Sequence, residues 1–207
     1  DKGIAALFVE SGTKGLSFSE PEKKMGWKAS DTRSVYFDQM RIPKENILGG
    51  VGKGFKQFLR TLTIGRITIS ALALGTSVGA YELALKYSQE RTAFGKKISA
   101  FQAISFKLAD MATQISASRQ LIYHAAWLYD NKKDVIKDAA MAKLYSSESA
   151  MKITTEAIQI HGGYGYIEDY HVERFFRDAK ILEIGEGTSE VQRMVIAREI
   201  LKSFSNT

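Results

Sequence analysis

Every proline in the chain lies before residue 44: Pro21 and Pro43 are the only two among 207 residues. Proline lacks a backbone donor and clashes with the preceding helical turn, so a tract without it is open to uninterrupted helix. From Gly54 onward the chain is such a tract. "GFKQFLRTLTIGRITISALALGTSVGAYELALKYSQER" predicts one long helix beginning at Gly54. "AFGKKISAFQ" reads as a loop. Beyond it, Ile104, Leu108, Met111, Ile115, Ser118, Ile122 and Ala125 alternate steps of four and three, the stripe of a helix facing a bundle. A third helix is predicted from about Asp134 to Ile160, rich in Ala and Ser, whose small side chains let neighbouring helices approach closely. The glycines of "HGGYGYIED" end it. A short helix follows around Val172–Arg177. The last begins near Thr188, where "TSEVQ" supplies a cap and early acids.

Up to Gly50 the pattern is different. "IAALFVE", "LSFSE" and "TRSVYFDQMRIP" are short apolar or alternating runs, the signature of strands, with "EKKMGWKASD" as a loop between two of them. The expected fold is therefore mainly α: an antiparallel four-helix bundle at residues 51–207, preceded by a partial β-domain at residues 1–50. Because Asp1 opens the chain almost directly into a strand, a piece of a longer protein is expected. A hydrophobic content of 44% against 25% charged residues fits an ordinary globular chain rather than a disordered one. No unbroken run of about 18 apolar residues occurs, so no membrane span is expected, and no secretory signal pattern is visible. The absence of cysteine excludes a disulfide scaffold, a thiolate metal site and a cysteine nucleophile. A net charge of +6 suits an anionic ligand, and lysines on solvated helix faces account for it equally well. No nucleic-acid partner is expected.

Four motifs bear on chemistry. "GGVGKGF" at Gly49 is no phosphate loop, since Gly54 follows Lys53 where Ser or Thr is needed; it reads as a junction into the first helix. His124, His161 and His171 lack metal-pairing spacing; His161 opens a glycine-rich loop and could approach a ligand. "QERTAFGKK" carries Arg91, able to clamp a phosphate bidentately, and Phe94, an aromatic face, or else is a solvated helix end. "ILEIGEGTSEVQR" sets Glu186 between two glycines just before a helix. Such a carboxylate is either a partner of the helix dipole or a base on a backbone thin enough for close ligand approach.

Taken together, "KKMGWKASDTRSVYFDQMRIPKENILG", "YSQERTAFGKKISAFQAISFKLADMA" and "AIQIHGGYGYIEDYHVERFFRDAKILEIGEGTSEVQRMVIAREIL" resemble the acyl-CoA dehydrogenase family, in the order and spacing of its C-terminal half. The resemblance implies the end of the central β-domain plus the C-terminal bundle of a FAD-dependent enzyme that oxidises an acyl-CoA to the trans-2-enoyl-CoA. In that family a carboxylate takes the α-proton while the β-hydrogen leaves as hydride to flavin N5. The backbone N–H of the base and a flavin ribityl hydroxyl polarise the thioester carbonyl. The family base is the Glu of E-G-T, which is Glu186. Some relatives carry it instead on the first bundle helix just before an arginine, the position of Gly65 here.

By the same matching, Arg66 resembles the arginine near the adenine end of bound CoA; an acid often found three residues earlier is replaced by Thr63. Gly187 would line the thioester end. Arg91, Phe94 and Gln102 match contacts to the FAD pyrophosphate and adenosine, and Gln159, Gly162 and Gly163 match a loop that admits FAD closely, both toward the flavin of a neighbouring subunit. Thr188 and Glu190 match flavin contacts beside the base, at a helix N-terminus suited to an anion. Gly185 departs from the common Tyr and leaves acyl length open between short and medium. No metal is implied. The resemblance further implies a homo-oligomer arranged as a dimer of dimers, an electron-transfer flavoprotein as partner, and the bacterial cytoplasm or mitochondrial matrix as compartment. Two other readings stay open: a non-catalytic module for oligomerisation and FAD clamping, and an acyl-CoA oxidase-like relative.

Overall fold

The computed structural model describes residues 3–205. It divides into two compact units, one ending at Leu62 and one beginning at Thr63. The first holds two antiparallel ribbons. β1 (Ala6–Leu7) pairs with β4 (Ile47–Leu48), and β2 (Leu16–Phe18) pairs with β3 (Val35–Phe37) in the register Leu16 to Phe37. Ser19 and Ser34 extend the second ribbon through a backbone bond of 3.0 Å and a hydroxyl bond of 2.9 Å. β3 is exposed along its whole length, including Tyr36 and Phe37. The tract "GGVGKGF" lies between β4 and the first helix, and the backbone turns there through positive φ at Gly49, Gly50 and Gly52.

The mainly helical architecture is as expected. α1 spans Gly54–Glu90, α2 Gln102–Asp130, α3 Ile136–His161, α4 Val172–Ala179 and α5 Ser189–Ser205. The stripe on α2 is buried from Leu108 through Ala125, with Ile104 half-buried against the same cluster. α1 turns a second stripe inward: Arg66, Ser70, Ala73, Ser77, Ala80, Ala84 and Ser88. Serine is tolerated there because each hydroxyl donates to a carbonyl one turn back, Ser70 to Arg66 at 2.6 Å and Ser77 to Ala73 at 2.8 Å. By length and mean hydropathy alone α1 would pass for a membrane-crossing helix. Part of its apolar surface packs in the core, where Ala80 and Ala84 meet Leu108, Met111, Ile115, Ile153 and Val172, while Phe58, Leu59 and Leu72 stay exposed.

α3 is the centre of this unit. It packs on α2, α4 and α5, and thirteen of its residues are buried, most of them Ala, Ser or Thr. Small side chains on several faces let it be enclosed on more than one side. The buried Thr154 hydroxyl returns to the Ala150 carbonyl at 2.7 Å, which leaves no donor stranded.

The segment expected as a loop after α1 holds regular structure. β5 (Thr92–Ala93) pairs with β6 (Lys96–Lys97) across a two-residue turn in which Phe94 and Gly95 both take positive φ, 52° and 81°. That is the hairpin turn usually signalled by Asn-Gly or Asp-Gly; Phe-Gly hides it from sequence. The third helix begins at Ile136 rather than Asp134, and the fourth continues to Ala179.

Ile153 has no exposed surface at the meeting of α1, α2 and α3. Ile153→Ala is expected to cost about 2–5 kcal/mol of stability through lost burial and the cavity left behind, measured by denaturant unfolding.

Candidate active site

The short 3₁₀ turn Lys180–Glu183 delivers the chain to Gly185, Glu186 and Gly187, and α5 starts at Ser189. Glu186 has φ 56° and Gly187 φ 92°. At Gly187 a side chain would also crowd Gln192 Nε2 at 2.9 Å, so glycine is required there on two counts. Thr188 caps α5: its hydroxyl accepts the Val191 N–H at 3.4 Å and its carbonyl accepts the Gln192 N–H at 2.9 Å. The exposed Glu190 carboxyl is held below its ordinary range first by its own backbone N–H and then by the Thr188 hydroxyl.

The loop carbonyls are held from inside. Gln192, fully buried, donates from Nε2 to the Glu186 carbonyl at 3.2 Å and to the Gly187 carbonyl at 2.8 Å. Lys143 on α3, also fully buried, donates from Nζ to the Gly187 carbonyl at 2.8 Å. Nothing in the motifs pointed to these two residues. The signal for Lys143 was its phase: one lysine on the inward face of an Ala- and Ser-rich helix.

The Glu186 carboxylate reaches across to α1. A Cβ built on Gly65 would lie 2.9 Å from Glu186 Cδ and overlap a carboxylate oxygen. The carboxylate thus occupies the space in which a side chain at position 65 would begin. Arg66, the next residue, is buried with its Nε lacking a hydrogen-bond partner among the described residues. Burial holds its guanidinium below the ordinary range, Arg198 adds to that, and Glu186 opposes it. Arg66, expected from the resemblance near the adenine end of CoA, lies buried in the surroundings of this carboxylate.

A second site lies at the other end of α3. A cavity of about 480 Å³ is lined by Tyr87, Arg91, Ile98, Ile160, His161, Gly162, Gly163, Tyr164 and Ile167. His161, buried, is stacked on Tyr87 with ring centres 4.4 Å apart, and its Nδ1 is 2.8 Å from the Ala157 carbonyl. Burial lowers its pKa, which favours the neutral ring. Tyr170 packs edge-on against both rings, and Arg91 lies over the Tyr164 ring at 5.7 Å. No heavy atom stands within 4 Å of where side chains would project from Gly162 and Gly163, which leaves an open backbone wall. Of the expected contacts, Arg91, Gly162 and Gly163 line this cavity. Phe94 (95% exposed), Gln102 and Gln159 do not. Tyr87 and Tyr164 were not singled out from sequence. Lys143 and His161 are 18 residues apart on one helix, so the two sites are separated by roughly 27 Å along α3.

The buried Lys143 ammonium has its pKa lowered to about 8, first by burial and then by Arg66, against the pull of Glu183, Glu190 and Glu148. Between about 8 and the ordinary 10.5 the folded protein has released a proton that the unfolded chain still holds. The unfolding free energy of the wild type relative to Lys143→Met should therefore be flat below that window and rise with pH through it. Urea unfolding of both proteins across the window checks the sign.

The family profile described as "Acyl-CoA dehydrogenase, C-terminal domain" matches residues 52–201. The chain is 53% identical to probable acyl-CoA dehydrogenase YngJ of Bacillus subtilis, over 96% of this chain and 52% of that protein. It is 47% identical to CarC, a subunit of the caffeyl-CoA reductase-Etf complex of Acetobacterium woodii, over 97% of this chain and 53% of that one. The solved butyryl-CoA dehydrogenase of Megasphaera elsdenii superposes with a TM-score of 0.95 at 49% identity, over 97% of this chain and 52% of that one. An FAD complex of PigA, 30% identical, superposes with a TM-score of 0.92 over 96% of this chain and 52% of that one. The chain spans about half the length of the curated relatives it matches. With the family profile over most of its length and a matching fold, the chain belongs to the acyl-CoA dehydrogenase family.

Proposed function

We propose that this chain is the C-terminal portion of a FAD-dependent acyl-CoA dehydrogenase in which Glu186 is the base that removes the α-proton of an acyl-CoA thioester. The observation that carries the reading is the packing of Glu186 against Gly65. Relatives by resemblance hold the base either at E-G-T or at the position before the helix arginine. Here a side chain at position 65 and the carboxylate of Glu186 would claim the same space. One position must be empty for the other to be filled, and this chain fills the first.

Each residue around Glu186 has a task in that chemistry. Proton removal needs a carboxylate held at the substrate carbon in a fixed direction. The left-handed backbone at Glu186 and the thin backbone at Gly187 set that direction. Arg66 places a buried positive charge in the surroundings of the carboxylate. The Glu186 backbone N–H is assigned to the thioester oxygen, where negative charge develops.

The second site fits one end of a dinucleotide. Arg91 is a guanidinium for phosphate, Gly162 and Gly163 leave room for close approach, and Tyr87, His161 and Tyr164 supply aromatic faces. When bound, FAD accepts the β-hydride. Thr188 and Glu190 are assigned to the flavin beside the base, and Arg91, Phe94, Gln102, Gln159, Gly162 and Gly163 to the flavin of another copy. α5 leaves Val191, Met194, Ile200, Leu201 and Phe204 exposed, an apolar face that supports self-association, proposed as a dimer of dimers. The proposed substrate is a short-chain acyl-CoA, following the butyryl-CoA dehydrogenase relative, and the proposed electron partner is an electron-transfer flavoprotein, following the complex named for CarC. The same groups run in reverse would reduce a 2-enoyl thioester, the direction in the name of that relative.

In the full-length FAD-loaded protein, Glu186→Gln is expected to lower turnover of butyryl-CoA roughly 10²–10⁴-fold, measured by dye reduction. Turnover near that of wild type would sink the assignment. Gly65→Ala gives a separate check. Alanine should favour the helix by about 0.5–1 kcal/mol, yet its methyl displaces the carboxylate. Turnover should fall while the melting temperature holds or rises.

A further inference from the structure

We infer that Lys143 is the positioning residue of the base: through the Gly187 carbonyl it locks the Gly185–Gly187 loop in the one orientation that aims Glu186 at the space over Gly65. The inference rests on Glu186 as the base.

Glu186 takes a left-handed conformation that L-residues with side chains rarely adopt. It persists only if the surroundings over-determine it. Two consecutive carbonyls, those of Glu186 and Gly187, are turned toward buried donors, and those donors come from two elements. Gln192 belongs to α5, the helix that the loop itself begins, so it moves with the loop. Lys143 belongs to α3, the helix packed on α2, α4 and α5. It is thus the tie between the loop and a part of the fold that does not move with it. No other fully buried side chain in the described core is as large, and a charged one is costly to bury unless its bond is worth keeping. The charged groups acting on it are Glu183 from the preceding turn, Glu190 from α5, Glu148 from α3 and Arg66 from α1. The three carboxylates keep the ammonium tolerable in place, while Arg66 adds a like charge near it. If the tie is cut, only Gln192 holds the two carbonyls, and because it moves with the loop the peptides at Glu186 and Gly187 can shift together with it. The carboxylate then swings from the substrate carbon, and the Glu186 N–H assigned to the thioester oxygen turns with it, while contacts to the rest of the substrate remain.

The test uses the full-length FAD-loaded enzyme carrying Lys143→Met, which keeps the stem and removes the donor, and Lys143→Gln, which keeps a shorter donor. For the methionine variant kcat should fall roughly 10- to 100-fold with KM within about threefold, the pattern of a displaced catalytic group rather than a lost binding contact. In a Glu186→Gln background the same change should cost clearly less than in the wild type, because the carboxylate it positions is already gone and only the N–H of residue 186 is left to misplace. Hydrogen exchange of amides 185–192 should quicken in Lys143→Met, and less in Lys143→Gln, while amides of α2 keep wild-type protection. This readout does not depend on activity, so it decides the loop tie even if Glu186→Gln remains active and the base assignment fails. Unchanged exchange at 185–192, or an equal loss of rate in the Glu186→Gln background, overturns the inference. If the methionine variant fails to fold, Lys143→Gln is put to the same exchange measurement, and unchanged exchange at 185–192 overturns the inference there too.

Discussion

The enclosure of α3 is the constraint on which the rest depends. A helix can be covered by α2, α4 and α5 only if its side chains are small enough for the neighbours to close around it. Ala139, Ala142, Ser146, Ala150 and Ala157 meet that requirement. Their hydroxyl-bearing companions satisfy themselves on the preceding turn of the helix. The enclosure then gives this part of the chain a rigid axis with a chemically distinct group at each end. Lys143 reaches the Glu186 loop near one end, and His161 forms a wall of the aromatic cavity at the other. Neither placement would survive much bending or sliding of α3, because each depends on a side chain of fixed reach.

The geometry around Gly65 shows how little of a site need be made of reactive groups. One glycine on α1 leaves a space the size of a methyl group, and the carboxylate from a different element occupies it. In most helices that glycine would be a weakness. Here the lost helix propensity, about 0.5–1 kcal/mol relative to alanine, is offset by a carboxylate location that no other residue at that position permits. Arg66 follows directly, buried and one residue further along the same helix. Placement of the Glu186 carboxylate and its charge environment are thus both set by two adjacent residues of α1, far in sequence from the loop that bears it.

The sequence carries some of this openly and hides the rest for identifiable reasons. The α2 stripe was legible residue by residue, because a helix that packs on one side writes its period into the sequence. The cap at Thr188 was legible for a similar reason: capping is local chemistry. The hairpin at residues 92–97 was not, since Phe94 occupies a positive-φ turn position that propensity assigns to Asn or Gly. Lys143 and Gln192 were missed because a buried polar residue reads as a surface one until its partner carbonyl is known. That carbonyl belongs to a segment 44 residues away for Lys143. Arg66 was singled out by motif matching, but its burial next to the glycine on which Glu186 packs was not legible, because that packing partner lies on another element. Glu186 itself was legible as a candidate, but what clears the space for it lies on another helix.

The separation of the two sites bears on what a chain of this kind can do by itself. The carboxylate loop and the Arg91–His161 cavity stand roughly 27 Å apart along one rigid helix, so no hinge within α3 brings them together. A single short ligand cannot touch both ends at once. The arrangement makes sense when each end is one part of a site whose remaining walls come from outside these two ends of α3. On that view the bundle is shaped less as a container than as a strut. Its rigidity matters because it fixes the spacing between the two partial sites it supplies, and the small residues of α3 are what make that spacing hold.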